Sequence, residues 1–183
     1  MDRTGWPFAI GLFPVGKYQS ERFLAAQGKR YQDAWYRELL AVNPRCGWRD
    51  WGEKPWELFI TGLNDAARDD FFRFLGVGYR LPTADEWRAL LEASDEVREI
   101  RDELLEAIPD ASPQVLHWLR EGLYPLARAG LLEQVTDGGR VRCMGRPWWP
   151  KPAFFSNTWT PGDARDVNWM QARRLVGFRV VRV

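Results

Sequence analysis

The sequence predicts an α+β domain in which helices and short strands are interleaved. Three observations carry this. Two segments, beginning near Asn64 and Thr83, place apolar residues at helical spacing behind their own N-caps. Two β-prone runs flank Thr136-Asp137-Gly138-Gly139, a hairpin signal. The chain closes on a β-prone run with interspersed cations, residues 177–183. At 183 residues the expectation is a single domain spanning 1–183, with a helical insertion at 94–129.

The elements follow in order. Phe8 to Val15 reads as a short strand entering a Pro14-directed turn. Tyr18 to Ala25 is an amphipathic helix with Tyr18, Phe23 and Leu24 toward the core. Residues 29–41 carry Tyr31, Trp35, Leu39 and Leu40 at helical spacing. Asn43 to Pro55 is irregular, and Trp56 to Thr61 is a strand candidate. Asn64 is an N-cap, and Asp65 favours the helix dipole. Ala67, Phe71, Phe72, Phe74 and Leu75 form that helix's apolar face, and Gly76 stops it. Tyr79 to Leu81 is no more than a bridge. Thr83-Ala84-Asp85-Glu86 is a capping box, and Trp87, Leu90 and Leu91 are the buried stripe behind it. Ser94 to Glu106 is a strongly acidic helix ended by Pro109. Ser112-Pro113 starts another, striped by Val115, Leu116, Leu119, Leu123 and Leu126. This pair is the inserted hairpin. Pro147 to Asp166 is coil-like.

Composition excludes several classes. The net charge of +1 and 28% charged residues describe an ordinary globular protein. Two features depart from that average. There are 11 Trp, and only Lys17, Lys29, Lys54 and Lys151 among the 26 cations are lysine, leaving 22 Arg. The charge is also uneven. Residues 140–183 carry eight Arg and Lys151 against Asp163 and Asp166, a balance of +7, so the preceding residues sum to −6. That points either to solvated faces of opposite sign or to a basic, Trp-rich surface for an anionic or acidic partner. No apolar run approaches the roughly 20 residues that span a bilayer. The first residues lack a signal-peptide pattern. The expectation is a cytoplasmic protein with no membrane partner.

Cys46 and Cys143 are too far apart for a CxxC motif, and both are expected as reduced thiols. His117 alone builds no multi-histidine metal site. No G-x-S-x-G, G-x-G-x-x-G or P-loop stretch occurs. Cys143 has two readings. It is a strand cysteine packed on the core, or a reactive thiol whose pKa is lowered by Arg140, Arg142 and Arg146.

Four stretches, in order, resemble one family: residues 13–23 (F-P-V-G-K-Y-Q-S-E-R-F), residues 60–71 (I-T-G-L-N-D-A-A-R-D-D-F), residues 79–87 (Y-R-L-P-T-A-D-E-W) and residues 176–181 (V-G-F-R-V-V). Together they resemble the formylglycine-generating enzyme, or sulfatase-modifying factor, family. The resemblance implies a C-type-lectin-like α+β fold. It also exposes departures. The family's G-N-V-W-E-W segment is missing at Leu132 to Gly138. Its R-G-G-S-W is altered to the run Arg142 to Trp148. The paired late cysteines that bind copper have no counterpart, and the histidine-rich site of related iron-dependent sulfoxide synthases has none either. The inserted hairpin stands where the enzymes place a glycine-rich segment. The reading is therefore a member without catalytic residues, metal ligands or a cofactor.

In lectin-like folds, binding falls on the loops before the last strand. The candidate ligand or partner residues are Trp148, Trp149, Asn157, Trp159, Arg165, Asp166, Asn168, Trp169 and Arg173, with Phe154 and Phe155 in the same stretch. Trp and Arg dominate interaction hot spots. The expected function is a recognition module for a protein partner or ligand, in the setting of a bacterial multi-protein system. One alternative is the variable protein of a diversity-generating retroelement, which diversifies the stretch before the closing strand. A second is a divergent oxidoreductase of the same family, working through Cys143. Nucleic-acid binding through the basic tail is disfavoured by the near-zero net charge and by the lack of any phosphate-binding motif.

Overall fold

The computed structural model describes residues 5–11, 13–29, 34, 37–39, 59–92, 131–145 and 160–183. The inserted hairpin at 94–129, His117, Cys46 and the irregular segment 43–55 lie outside this set, as do Tyr31, Trp35 and Leu40. Within it the fold is mixed α+β.

Strand β1 (Ala9–Ile10) leads to helix α1 (Lys17–Ala26). The Gln19 side-chain oxygen accepts from the Gly16 amide at 2.8 Å, satisfying a free donor where the helix begins. Helix α2 (Asp65–Leu75) starts where the sequence predicts, and Asn64 Oδ1 accepts from the Ala67 amide at 2.9 Å. Strand β2 (Tyr79–Arg80) is two residues long. Helix α3 (Ala84–Glu92) carries the full capping box. The Glu86 amide donates to Thr83 Oγ1 at 3.1 Å, and the Thr83 amide donates to Glu86 Oε2 at 2.7 Å. Arg80 then clasps Glu86 with two further bonds of 2.7 Å.

Strands β3 (Leu132–Asp137) and β4 (Arg140–Gly145) form the predicted hairpin, with Thr136 and Asp137 in β3 and not in the turn. The two turn residues, Gly138 and Gly139, have φ of +55° and +76°. A two-residue turn that matches strand twist needs positive φ at both positions, which glycine adopts without steric cost. A short helix α4 (Trp169–Ala172) and a 3-10 turn (Arg173–Leu175) lead to β5 (Val176–Phe178) and β6 (Val181–Arg182).

The closing run is therefore two strands, not one, and they belong to different sheets. β6 lies between β1 and β2, antiparallel to both. β5 lies beside β3, parallel to it, with β4 on the far side. The break falls at Arg179, whose side chain is fully buried. Phe8 to Val15 is likewise only partly strand. Beyond β1 its backbone bonds to the same closing segment, with Gly11 N donating to Val180 O and Val15 N to Phe178 O. In the candidate strand at 56–61, Phe59 makes an isolated bridge to Gly16, and Ile60 N donates to Val15 O.

The main core gathers Val15, Phe23, Leu24, Leu39, Ile60, Leu63, Phe71, Leu81 and Phe178. Phe71 meets Phe23 and Phe178 edge-on, with ring centroids 5.4 and 5.6 Å apart, the arrangement that aromatic quadrupoles favour. Phe74, predicted on this face, is half exposed at its edge. Helix α3 ties the two sheets together. Leu90 packs on Ile10 and Val181, whereas Trp87 packs on Val135 and Met144. No described helix is long and apolar enough to cross a membrane.

Candidate functional site

Sheet and loop together build a cleft of about 270 Å³. One wall is the N-terminus of α2, with Asn64 and Asp65. The floor is the outer face of the β3–β4 hairpin, with Gln134, Val141 and Cys143. The other wall is Asp166, Val167 and Trp169, and Arg142 sits at the rim. The floor follows from register. Gln134 and Cys143 are direct partners across the hairpin, so their side chains share a face, and Val141 lies two residues along on the same face.

The loop wall is held on the edge of β4. Arg165 N donates to Cys143 O, and Cys143 N donates to Arg165 O, both at 2.9 Å. Gly145 N donates to Pro161 O at 2.9 Å, and Arg88 Nε donates to Gly162 O at 3.0 Å. The segment thus covers an otherwise open strand edge. Asp163 folds it locally. Its Oδ2 accepts from the Thr160 amide at 3.2 Å and from Arg165 Nη2 at 3.1 Å. The Thr160 amide, then Arg165, hold the Asp163 carboxyl below its ordinary value.

Two arginines flank the cleft, and each is shared by two aspartates. Arg68, almost fully buried on α2, donates to Asp65 Oδ1 at 2.6 Å, to Asp69 Oδ1 at 2.9 Å and to Gln134 Oε1 at 3.1 Å. Arg142 donates to Asp137 Oδ2 at 2.8 Å and lies 3.5 Å from Asp166 Oδ1. Of the four aspartates, Asp65 and Asp166 line the cleft, and each stands beside one of the two arginines.

Cys143 is buried against Leu132, Ala172 and Val176. Burial first, then the charges of Asp166 and Asp65, push its thiol up to about 12. That burial fits the packed reading of the cysteine; Arg146, one of the three arginines of the other reading, lies outside the described residues.

Of the nine predicted site residues, Asp166 and Trp169 line the cleft. Asn168 is exposed beside them at the N-terminus of α4. Arg165 contributes its backbone to the β4 latch and its side chain to Asp163. Arg173 stands in the 3-10 turn, outside the cleft lining. Trp148, Trp149, Asn157 and Trp159, with Phe154 and Phe155, lie outside the described residues. The sequence reading missed Arg68 and Gln134, and it named Arg142 only as a neighbour of Cys143. Arg68 did leave a signal, since it lies three and four residues before Phe71 and Phe72, on the apolar stripe of α2.

No family model matches the chain, and no curated protein or solved structure matches it either.

Proposed function

We propose that the chain is a non-catalytic recognition module, on a C-type-lectin-like scaffold of the formylglycine-generating-enzyme type, that binds a protein partner through the loops before its C-terminal strands. The observation that carries this reading is the cleft itself. Asp166 and Trp169 come from the late loop, and backbone bonds to β4 hold that loop in place. A preorganised aromatic and charged pair beside a concave floor is what specific binding needs. A thiol pushed up to about 12 is a poor nucleophile at neutral pH, which weakens the oxidoreductase alternative.

The test is selection of a displayed random-peptide library on the folded protein. Enriched peptides should lose at least tenfold in affinity when Trp169→Ala and Asp166→Ala are combined. Enriched peptides that bind the double variant as well as the parent would place recognition elsewhere and overturn this assignment. Nucleic acid of random sequence serves as the counter-probe, and tight, steeply salt-dependent binding of it would favour a phosphate-dominated mode instead.

A further inference from the structure

The loop wall of the cleft leaves part of the β4 edge open. In a hairpin with a two-residue turn, the closing pair exchanges both of its backbone bonds, and bonded and non-bonded pairs alternate from there. Asp137 and Arg140 are that closing pair, so Val141, opposite Thr136, belongs to a non-bonded one. Its N–H and C=O therefore point away from β3. Two outward bonds fix the same phase. Cys143, two residues on, exchanges both bonds with Arg165, and Thr136 N donates to Pro82 O at 2.9 Å on the side of β3 away from β4. The antiparallel register of Cys143 with Arg165, if continued, would set Asp166 opposite Arg142 and Val167 opposite Val141. The loop departs first. Among the described residues no backbone bond joins 166–168 to β4. Asp166 Oδ1 stands 3.5 Å from Arg142 Nε, and that buried nitrogen makes no hydrogen bond. Val167 and Trp169 form the cleft wall beyond Val141 instead.

We propose that an extended segment of a protein partner adds to β4 in this gap, antiparallel, with one residue exchanging both backbone bonds with Val141. The inference rests on the recognition reading and names how the partner is held. In strand addition, main-chain bonds supply affinity and alternate side chains supply specificity. The side chain opposite Val141 lies on the cleft face, beside Val141, Val167 and Trp169. Val141 is 38% exposed there, so an apolar residue fits. The next residue faces Arg140, which is exposed and has no ion pair among the described residues, so an acidic residue fits. Arg142, by contrast, already has Asp137 and Asp166. The recognised sequence is thus an apolar residue followed directly by an acidic one. Charge disfavours a second copy of this chain as the occupant. Pairing β4 with its own copy about Val141 would set Arg140 opposite Arg142, and like charges directly opposite are destabilising.

The experiment uses three blocked tetrapeptides: acetyl-Val-Glu-Val-Thr-amide, the same peptide with Lys for Glu, and the Glu peptide with its first Val N-methylated. Binding to the full chain is followed by the backbone amide resonance of Val141. The Glu peptide should shift it saturably, at least threefold tighter than the Lys peptide. Arg140→Glu should invert that order. N-methylation removes the N–H that donates to Val141 O and should weaken binding at least tenfold. Val141→Pro removes the outward N–H of β4. Proline is tolerated at an edge position of that kind, so the hairpin should persist while Glu-peptide binding, now read at the Trp169 indole, is lost. If that variant does not fold, the N-methylated peptide decides alone. No saturable shift with the Glu peptide, equal binding of the N-methylated one, or an unchanged Glu-over-Lys order in Arg140→Glu would each overturn the proposal. Selected library peptides that need Asp166 and Trp169 but bind folded Val141→Pro as well as the parent would overturn it while leaving the recognition reading intact. A library without cleft-dependent binders would remove that reading, and strand addition with it.

Discussion

Glu133 and Arg179 form a two-point ion pair in which neither side chain touches solvent. Arg179 Nε and Nη2 each donate to a different Glu133 oxygen at 2.7 Å. Trp87 Nε1 adds a bond to Glu133 at 3.3 Å, and Arg179 Nη1 donates to Gly11 O at 2.7 Å. One network thereby joins α3, β3, the N-terminal segment and the link between β5 and β6. Removing one partner would strand a buried charge, at a cost of about 3–5 kcal/mol. For a chain of this length that is roughly 6–20 °C in Tm. Thermal denaturation should show losses of that size for Arg179→Met and for Glu133→Gln. The double variant Glu133→Leu/Arg179→Met should recover much of the loss. A single variant within about 1 kcal/mol of the parent would show that the pair is not what fixes the strand break.

The capping box on α3 gives a pH-dependent test. Burial pushes the Glu86 carboxyl up, but its bonds with Arg80 and with the Thr83 amide and hydroxyl, together with the Arg80 charge, outweigh that and leave it below its ordinary value. A folded pKa below the unfolded value stabilises the protein above the unfolded pKa, about 4.3. That contribution disappears as pH falls through the folded value. Urea unfolding should therefore find Glu86→Gln less stable than the parent at pH 7, with the gap closing toward pH 3. Thr83→Ala should cost about 1 kcal/mol at pH 7, and part of that loss should persist at pH 3, because the hydroxyl also accepts from the Glu86 amide, which does not titrate.

These two cases mark what the sequence could show. The Thr83–Glu86 box, the Asn64 cap and the Gly138-Gly139 turn are local, so residue type and spacing specify them. The Glu133–Arg179 pair spans 46 residues, and nothing near Arg179 in sequence reveals its partner. The final strand therefore read as continuous. The cleft divides in the same way. Asp166 and Trp169 were legible as loop residues of the binding type. Arg68 and Gln134 belong to the opposing surface only because β3 and α2 meet in space. The Arg142–Asp137 ion pair was hidden for the same reason, since Asp137 lies in the acidic part of the chain and Arg142 in the basic part.

Gly145 ends β4 with φ of +93°, and a Cβ there would stand 2.8 Å from the Leu131 carbonyl oxygen. Both the backbone conformation and the space require glycine. The left-handed conformation alone costs a substituted residue about 1–2 kcal/mol. Gly145→Ala should lower the urea midpoint by more than that figure implies, because the backbone must also move. Gly139→Ala, with φ of +76° and open space around it, should show the conformational cost alone. Equal losses at the two positions would mean that the close approach to Leu131 is relieved cheaply.

Cys143 reports on the latch that holds the loop. With its thiol pushed up to about 12, its thiolate fraction at pH 8 is on the order of a thousandfold below that of an unperturbed cysteine. In a Cys46→Ser background, native labelling by a disulfide reagent should be slower than labelling in denaturant by at least that factor. Arg165→Pro deletes the amide that donates to Cys143 O, so it should loosen residues 160–166 from β4 and speed labelling tenfold or more. Arg165→Ala keeps that amide while removing the side-chain bond to Asp163, so its labelling rate should stay near the parent's. If both variants label alike, the Asp163–Arg165 contact, and not the backbone pairing with Cys143, is what holds the loop wall of the cleft.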